Sequence, residues 1–303
     1  MTELEYNLKA WLDWGLLRIG AWTDVQAPTS PGVYGGNFAK LRLIDEPSFS
    51  AGQVWESARK DWVWETGVDY VDQYGDTKNP IEVAATVSVN GSATVYSWID
   101  YPLGRVYFSS PISTSATVLV SYSFRNIQTY IASTIDWWNE LQFRSFRPDD
   151  SHFTQTGTGN WSVGGQHRIQ MPCIVIEAVP RTISKAYQIG DGSYWVYQDV
   201  VCTVISENAN MRNKITDILR GQYDAQIWLM NSNEVAIAEG FPLDYRGMLV
   251  DSTATYPNLT DANTGYRWAL CRFANTSVSD METLNSKLYI SKVRLTCEVA
   301  LNP

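Results

Sequence analysis

The turn chemistry between residues 81 and 124 constrains the fold of this chain more than any other feature. The run "EVAATVSV" ends at Asn90 and Gly91, the strongest short signal for a two-residue hairpin loop, because a type I′ turn needs positive φ at both central residues. A second turn follows at "YPLG", with Pro102 and Gly104 at positions that a type I turn prefers. Short strands between these turns predict a four-stranded antiparallel meander.

Two helices are predicted to flank this β region. Apolar residues recur at the helical period over residues 3–20, and a second such pattern covers residues 127–143. In the first helix Trp11 lies on the apolar stripe and Trp14 lies off it. A helix that is apolar on more than one side is usually buried between two partners, and another subunit is a candidate for one of them. Trp11 and Trp14 are therefore candidate interface residues.

The second half of the chain is typical of a mixed α/β fold. "YWVYQDVVCTVIS" predicts a strand, "NMRNKITDILRG" a helix and "DAQIWLMN" another strand. Near the end, "KVRLTCEVAL" alternates between apolar and polar residues, which predicts a strand whose Arg294, Thr296 and Glu298 face outward. Residues 240–288 are rich in Gly, Pro, Asn and Thr and predict long surface loops.

The segment 148–167, "PDDSHFTQTGTGNWSVGGQH", has no periodicity. A structureless loop of this length inside a compact domain is unusual, so we expect a flexible linker or a functional arm there. The predicted class is α+β. A β-rich part over residues 1–147, with its meander or sandwich and two helices, is joined by this arm to a mixed α/β domain over residues 168–303. The candidate interface residues on the arm are His152, Phe153 and Trp161.

Composition and charge limit the possible partners. Thirteen tryptophans and seventeen tyrosines need burial, a subunit interface or a flat ligand such as a sugar. The formal net charge of −9 disfavours nucleic acids and anionic membranes as binding partners. The N-terminal residues carry acids where a signal peptide carries Lys or Arg, and no run of about 18 apolar residues occurs. We therefore expect a soluble protein made in a cytoplasm, with its four cysteines reduced and buried rather than paired.

Residue types that carry chemistry are sparse. The two histidines, His152 and His167, lack the close ligand spacing of a His/Cys metal site, and no Ser lies in a G-x-S-x-G motif. "GTGNWSVGG" lacks the Gly-Lys-Ser/Thr ending of a phosphate-binding loop. We therefore predict no cofactor, no metal and no enzyme activity.

One acidic cluster leaves a catalytic alternative open. Asp61, Glu65 and Asp69 lie among aromatic residues, and paired carboxylates beside aromatic rings are what a glycosidase needs. The three acids share one face whether the segment is a strand or a helix, so their spacing does not select a structure. The aromatic neighbours are Trp62, Trp64 and Tyr70.

Two segments carry a resemblance to a known family. "VSVNGSATVYSWIDYPLGRVYFSSPISTSATVLVSYSFRN" follows a pattern common in phage structural proteins, and "WVYQDVVCTVISENANMRNKITDILRGQYDAQIWLMN" is similar to the strand, helix and strand core of tail terminators. The chain thus resembles the neck and tail-completion proteins of tailed bacteriophages. The residues that carry the first pattern are Asp100, Tyr101, Pro102, Gly104, Arg105, Val106, Phe108, Pro111, Val118 and Tyr122.

The resemblance implies a non-enzymatic virion protein of the head–tail neck, assembled in the cytoplasm of a bacterial host. It implies a ring, commonly sixfold and sometimes twelvefold, that caps the tail and contacts connector and tail tube or sheath proteins. Duplex DNA would pass through the ring without specific binding, which an acidic lumen favours because phosphate contacts supply most non-specific affinity. The alternatives are a carbohydrate-binding or host-recognition module and a baseplate component.

A ring needs interfaces between copies, and aromatic side chains of the predicted hairpins are further candidates for them. Strand alternation places Tyr107 and Phe108 on opposite faces, while Tyr96 and Trp98 share one face. At least one of these four rings is therefore expected to point away from its own core.

Overall fold

A computed structural model describes most of the chain. The described residues are 2–17, 22–28, 38–64, 70–71, 77–144, 153–157, 159–163, 167–186, 192–231, 233–235, 246–250, 255–263, 266–285 and 287–301. Within these ranges, no helix has the length and apolar character needed to cross a lipid bilayer.

The described helices are short and the strands are numerous. The helices are α1 (Thr2–Trp11), which a π-helical turn over Leu12–Leu16 continues, α2 (Asp136–Arg144), α3 (Ala209–Arg220) and α4 (Tyr256–Leu259). Single 3-10 turns cover Val83–Thr86 and Ala132–Thr134. The strands are β1 (Trp22–Val25), β2 (Arg42–Leu43), β3 (Val54–Glu56), β4 (Tyr70–Val71), β5 (Thr77–Lys78), β6 (Ser88–Val89), β7 (Ser92–Ala93), β8 (Trp98–Asp100), β9 (Arg105–Tyr107), β10 (Val118–Leu119), β11 (Tyr122–Arg125), β12 (Gln128–Ile131), β13 (Phe153–Gly157), β14 (Asn160–Val163), β15 (His167–Gln170), β16 (Cys173–Ala186), β17 (Tyr194–Ser206), β18 (Gln226–Met230), β19 (Arg267–Asn285) and β20 (Leu288–Leu301).

The chain folds as two compact units, each built from separate segments. The first unit combines Met1–Leu16, Ile127–Val235 and Tyr256–Pro303, and the second combines Leu17–Asn126 and Ala236–Thr255. The chain is β-rich with mostly antiparallel sheets and a few helices, in agreement with the predicted α+β class. The grouping differs from the predicted ranges, because the predicted arm falls inside the first unit and α1 belongs with the C-terminal strands.

The second unit contains both predicted turns but not one continuous meander. β6 and β7 form the hairpin at Asn90 and Gly91, whose φ angles are 50° and 84°. β8 and β9 form the next hairpin. However, β10 pairs with β6 while β9 pairs with β3, so the strands divide between two sheets, ordered β10-β6-β7 and β2-β3-β9-β8. The meander prediction is wrong here because a distant segment, Val54–Glu56, occupies the edge of β9 that the next strand would have taken.

The first unit is built on a six-stranded sheet ordered β12-β16-β17-β20-β19-β18. β12 runs parallel to β16, and the other neighbours are antiparallel. Lys9 of α1 donates to the Thr129 hydroxyl in β12 at 3.0 Å, and the Asn7 amide exchanges hydrogen bonds with the Met230 backbone in β18 at 2.8 and 3.0 Å. Because both edge strands contact the same helix, the sheet must curve strongly around α1.

Helix α3 lies where the sequence predicts it. The Asn208 side chain caps its N-terminus by accepting hydrogen bonds from two backbone N–H groups of the first turn. Of the four apolar residues at helical spacing in α3, Ile215 and Leu219 are buried, whereas Met211 and Ile218 remain exposed. The helical period therefore predicts the helix correctly, but it does not predict which of its apolar residues are buried.

The predicted arm over residues 148–167 is not a structureless loop where the structure describes it. β13, β14 and β15 form a three-stranded sheet, and the alternate residues Trp161, Val163 and Ile169 are buried in a core shared with Trp137. The polar, Gly-rich composition conceals this short alternation. Residues 148–152, 158 and 164–166 lie outside the described residues.

Two further predictions need correction. Residues 127–143 begin with β12 rather than a helix, because Gln128–Ile131 pairs in parallel with Cys173–Ile176, and the helix starts only at Asp136. The loops predicted over residues 240–288 include β19, which pairs along most of β20. β12 forms because it pairs with a strand that is remote in the sequence, whereas β19 forms a long hairpin with the strand that directly follows it, and in neither place does local composition decide the structure.

Candidate subunit interface

The predicted interface residues near the N-terminus and in the three-stranded sheet are buried in the first unit. Trp14 is 4% exposed and Trp161 is 2% exposed, and Trp11 is also buried. Such side chains fill a core and leave little area for a partner. Phe153 lies in β13, and His152 lies outside the described residues.

The four hairpin aromatics of the second unit divide evenly. Tyr107 and Phe108 are buried, whereas Tyr96 and Trp98 are half-buried. The Trp98 ring stacks on Tyr107 with centroids 4.4 Å apart, and the Arg246 guanidinium lies 5.4 Å from the Trp98 centroid. Trp98 lies opposite Tyr107 and Ile99 lies opposite Val106, so Trp98 and Tyr107 point away from the core that Ile99 and Val106 enter, whereas Tyr96 packs against that core.

Of the three acids in the predicted cluster, the structure describes only Asp61. Asp61 has a φ of 53°, and its backbone N–H donates to the Pro102 carbonyl at 2.9 Å. Glu65 and Asp69 lie outside the described residues, so the glycosidase alternative stays open. Across the described ranges, no group of three or more His, Cys, Asp or Glu side chains is placed to hold a metal ion.

Among the described residues, one side of the central sheet in the first unit carries mostly exposed or half-buried side chains on five strands. Ile183, Tyr197, Glu298, Arg272 and Gln226 lie directly opposite one another in a row across β16, β17, β20, β19 and β18. Side chains at such opposed positions point to the same side of a sheet. The surface around this row is called the exposed sheet face below. It consists of Arg181, Ile183, Lys185, Trp195, Tyr197, Asp199, Gln226, Trp228, Leu270, Arg272, Arg294, Thr296, Glu298 and Ala300.

A second row on this face is mainly apolar. Lys185, Trp195 and Ala300 lie opposite one another, and Leu270 lies opposite Trp228. Trp228 is 40% exposed, although the Arg267 guanidinium lies 3.9 Å from its ring centroid. Large aromatic side chains are therefore available on the face, and one of them is partly covered by a cation.

Charged side chains link four of the five strands, β16, β17, β20 and β19, and reach Asp224 just before β18. The Lys185 ammonium lies 4.9 Å from the Tyr197 ring centroid, and the hydrogen bond from the Tyr197 hydroxyl to the Glu298 carboxylate raises the pKa of Tyr197. Arg272 Nη1 donates to Glu298 Oε2 at 3.2 Å, and Arg272 Nε donates to Asp224 Oδ1 at 2.5 Å. These contacts hold the long side chains in defined positions across the sheet.

Asp199 lies opposite Thr296 in the next row of the exposed sheet face. The Arg294 guanidinium donates to one of its carboxylate oxygens, and the Thr296 hydroxyl donates to the other at 2.7 Å. The hydrogen bond from Arg294 is the main cause that lowers the pKa of Asp199, and the nearby Arg181 charge acts in the same direction. Asp199 is therefore ionised and paired at neutral pH.

Sequence periodicity predicts part of this face. Arg294 is exposed and Thr296 half-buried, as the alternation of β20 indicates, while Glu298 is covered by its own hydrogen-bond partners. Trp195 and Tyr197 occupy alternate positions of a predicted strand, which was the available signal for a shared face. Alternation alone does not tell which side of a strand stays accessible, because that depends on tertiary packing.

No protein-family model matches the chain, and no curated protein matches it. The comparisons therefore assign it to no family.

Proposed function

We propose that this chain is a non-enzymatic structural subunit that assembles with further copies of itself. The observation that carries the proposal is the exposed sheet face, where Trp195, Tyr197 and Trp228 remain partly exposed beside several arginines. Contiguous patches of this kind on a soluble protein mark interaction sites, and aromatic and Arg side chains are enriched at protein interfaces.

The place we propose for the subunit is the head–tail neck of a tailed bacteriophage. Two segments resemble neck and tail-terminator proteins, and the second of them forms β17, α3 and β18. On this proposal, the first unit, which contains these three elements, is the tail-terminator-like part of the chain. The subunits form a ring, a hexamer or a dodecamer, that caps the tail and contacts the connector and the tail tube or sheath.

The ring would be part of the virion after assembly in the cytoplasm of the host bacterium. Duplex DNA would pass through its lumen without specific binding, and the net charge of −9 is compatible with this because an excess of carboxylates over cations lowers non-specific affinity for phosphates.

The location can be tested on the phage particle that carries this chain. Antibodies raised against the purified chain should label particles at the junction of head and tail in negative-stain electron micrographs. Pre-immune antibodies provide the control. Labelling at the distal end of the tail would place the chain in the baseplate, and unlabelled particles from which the chain is absent by mass spectrometry would contradict a virion role.

A carbohydrate-binding function is the second candidate, because Trp228 and Trp268 are 40% and 47% exposed and flat rings stack on sugars. The Arg267 guanidinium over the Trp228 ring counts against it, since it occupies one face of the platform. Titration with oligosaccharides should leave the tryptophan fluorescence unchanged. A saturable shift that Trp268→Ala abolishes would favour this second function instead.

A further inference from the structure

We infer that the exposed sheet face docks onto a different, acidic surface of a second copy of this chain. The contact between copies is then heterologous: each copy contributes its sheet face to one neighbour and its acidic surface to the other. This inference rests on the proposed self-assembly and adds which surface carries it and with what symmetry.

The charge of the face is opposite to that of the chain. It carries four basic side chains against two carboxylates, or three when Asp224, which pairs with Arg272 beside the face, is included, whereas the whole chain has a formal net charge of −9. The surface outside this face is therefore more acidic than the chain average, and electrostatic complementarity favours contact between the two. The basic residues are Arg181, Lys185, Arg272 and Arg294, and the acidic residues are Asp199 and Glu298.

The same charges disfavour contact between two identical faces. In a twofold dimer the same patch meets itself, so an excess of cations on one face would oppose a similar excess on the other. Two different surfaces avoid this repulsion. A repeated contact of two different surfaces generates a closed ring, or a filament where the rotation does not close.

The aromatic residues give such a contact its apolar centre. Trp195, Tyr197 and Trp228 lie between charged side chains, and interfaces usually have aromatic residues at the centre and polar residues at the rim. Ile183, which is 43% exposed, extends this centre toward the edge of the sheet.

The strand edge beside the face is a poorer docking site than the face itself. Beyond Ile176, β16 has no described strand on its outer side, so its edge would be open to strand addition. However, Pro180 lies in this edge within an irregularity between Ala178 and Thr182, and Lys185 follows. Proline, bulges and lysine on an edge strand are features that prevent strand pairing.

The test compares two double variants with the same change in charge. Arg181→Glu/Arg294→Glu reverses charge on the face, and Lys214→Glu/Arg220→Glu reverses it at exposed positions of α3. In sedimentation velocity over a range of concentrations, the face variant should associate more than about tenfold more weakly than the wild type. The α3 variant should associate like the wild type, and circular dichroism should show that both variants are folded. Salt of about 1 M, where the screening length is about 3 Å, should weaken wild-type association.

A mixing experiment tests the heterologous geometry. The labelled face variant retains its acidic surface, so unlabelled wild-type chain should still bind it and produce small mixed complexes. Exclusion of the variant from wild-type complexes would indicate a self-complementary interface and overturn the inference.

Other outcomes separate this inference from the proposed function. If the face variant associates like the wild type while antibodies still label the phage neck, the docking face is wrong and the neck assignment stands. If the wild-type chain remains a monomer at every concentration and salt, both self-assembly and this interface are wrong.

Discussion

Two pairs of aromatic side chains, one from each unit, have opposite surroundings, although other tryptophans of the first unit, such as Trp14 and Trp161, are buried. In the second unit the Trp62 and Tyr122 rings stack with centroids 4.6 Å apart, and their exposed fractions are 1% and 0%. In the first unit Trp228 and Trp268 remain 40% and 47% exposed. A surplus of tryptophan in a sequence therefore does not by itself indicate an interface.

The difference has a local cause in each unit. Trp62 is enclosed by a turn, its indole N–H donates to the Arg59 carbonyl at 3.0 Å, and its ring fills the core. Trp228 lies in the edge strand β18, and the strand register directs it away from the buried Ile227 and Leu229. A one-residue shift in register would bury it, so register rather than residue type decides its exposure.

Truncation of one tryptophan in each unit should give the largest contrast. Trp62→Ala removes a buried ring together with its stacking on Tyr122, and we expect it to lower the free energy of unfolding by about 3–5 kcal/mol. Trp228→Ala should change it by less than about 1 kcal/mol, because the side chain is exposed. Urea unfolding at low protein concentration measures both. Equal losses in the two variants would show that Trp228 is structural and not available to a partner.

Two glycines allow the effect of tight packing around Trp62 to be distinguished from the effect of backbone strain. Gly104 and Gly91 have φ angles of 63° and 84°, so alanine is strained at both positions. At Gly104 a Cβ would also lie 2.6 Å from the Arg59 carbonyl oxygen and 3.0 Å from Trp62 Nε1, whereas at Gly91 nothing lies within 4 Å.

We expect Gly104→Ala to destabilise the protein by about 1–3 kcal/mol more than Gly91→Ala. The difference in thermal unfolding midpoints between the two variants measures this. Similar midpoints would mean that the turn at Gly104 can move away from Trp62 and that the core there is loosely packed.

Local features were predictable from the sequence. The Asn90 and Gly91 hairpin could be predicted because its requirement for positive φ concerns only adjacent residues. Helix α3 could be predicted because its period and its Asn208 cap are also local. The pairing of β9 with β3 and of β12 with β16 could not be predicted, because these partner strands are remote in the sequence.

The candidate subunit interface also could not be predicted from local sequence features alone. Trp11 and Trp14 belong to a helical segment that is apolar on more than one side, which indicated a second subunit as a partner. The curved sheet offers another explanation, since both of its edge strands contact the same helix. The face that is open could not be predicted either, because exposure depends on which elements fail to pack there.

The burial of the Tyr122 hydroxyl makes the stability of the protein depend on pH. It accepts a hydrogen bond from the Ser57 hydroxyl and donates to the Phe38 carbonyl, and burial raises the pKa of Tyr122 to about 12. Above pH 10 the unfolded chain loses this proton while the folded chain retains it. The contribution to stability is therefore complete below pH 10 and is lost as the pH rises toward about 12.

Between pH 9 and pH 11, wild type should lose about 1.4 kcal/mol more stability than Tyr122→Phe. Urea unfolding at the two pH values measures the loss, and Tyr223→Phe, at an exposed position, serves as the matched control. If Tyr122→Phe and Tyr223→Phe lose stability equally over this range, Tyr122 is hydrated and the core is open.

The smallest effect is expected for the Asp199 pair on the exposed sheet face. Arg294 lowers the pKa of Asp199, so the pair contributes stability above the ordinary carboxyl pKa and loses it as the pH falls through the lowered value.

Because both side chains are partly exposed, Asp199→Asn should lower the stability of the monomer by less than about 1 kcal/mol at neutral pH. The difference from wild type should shrink in acid. Denaturant unfolding of dilute protein measures this without a contribution from self-association. A loss well above about 2 kcal/mol would mean that the charged network is needed for folding, and the contrast between a structural core and an available face would fail.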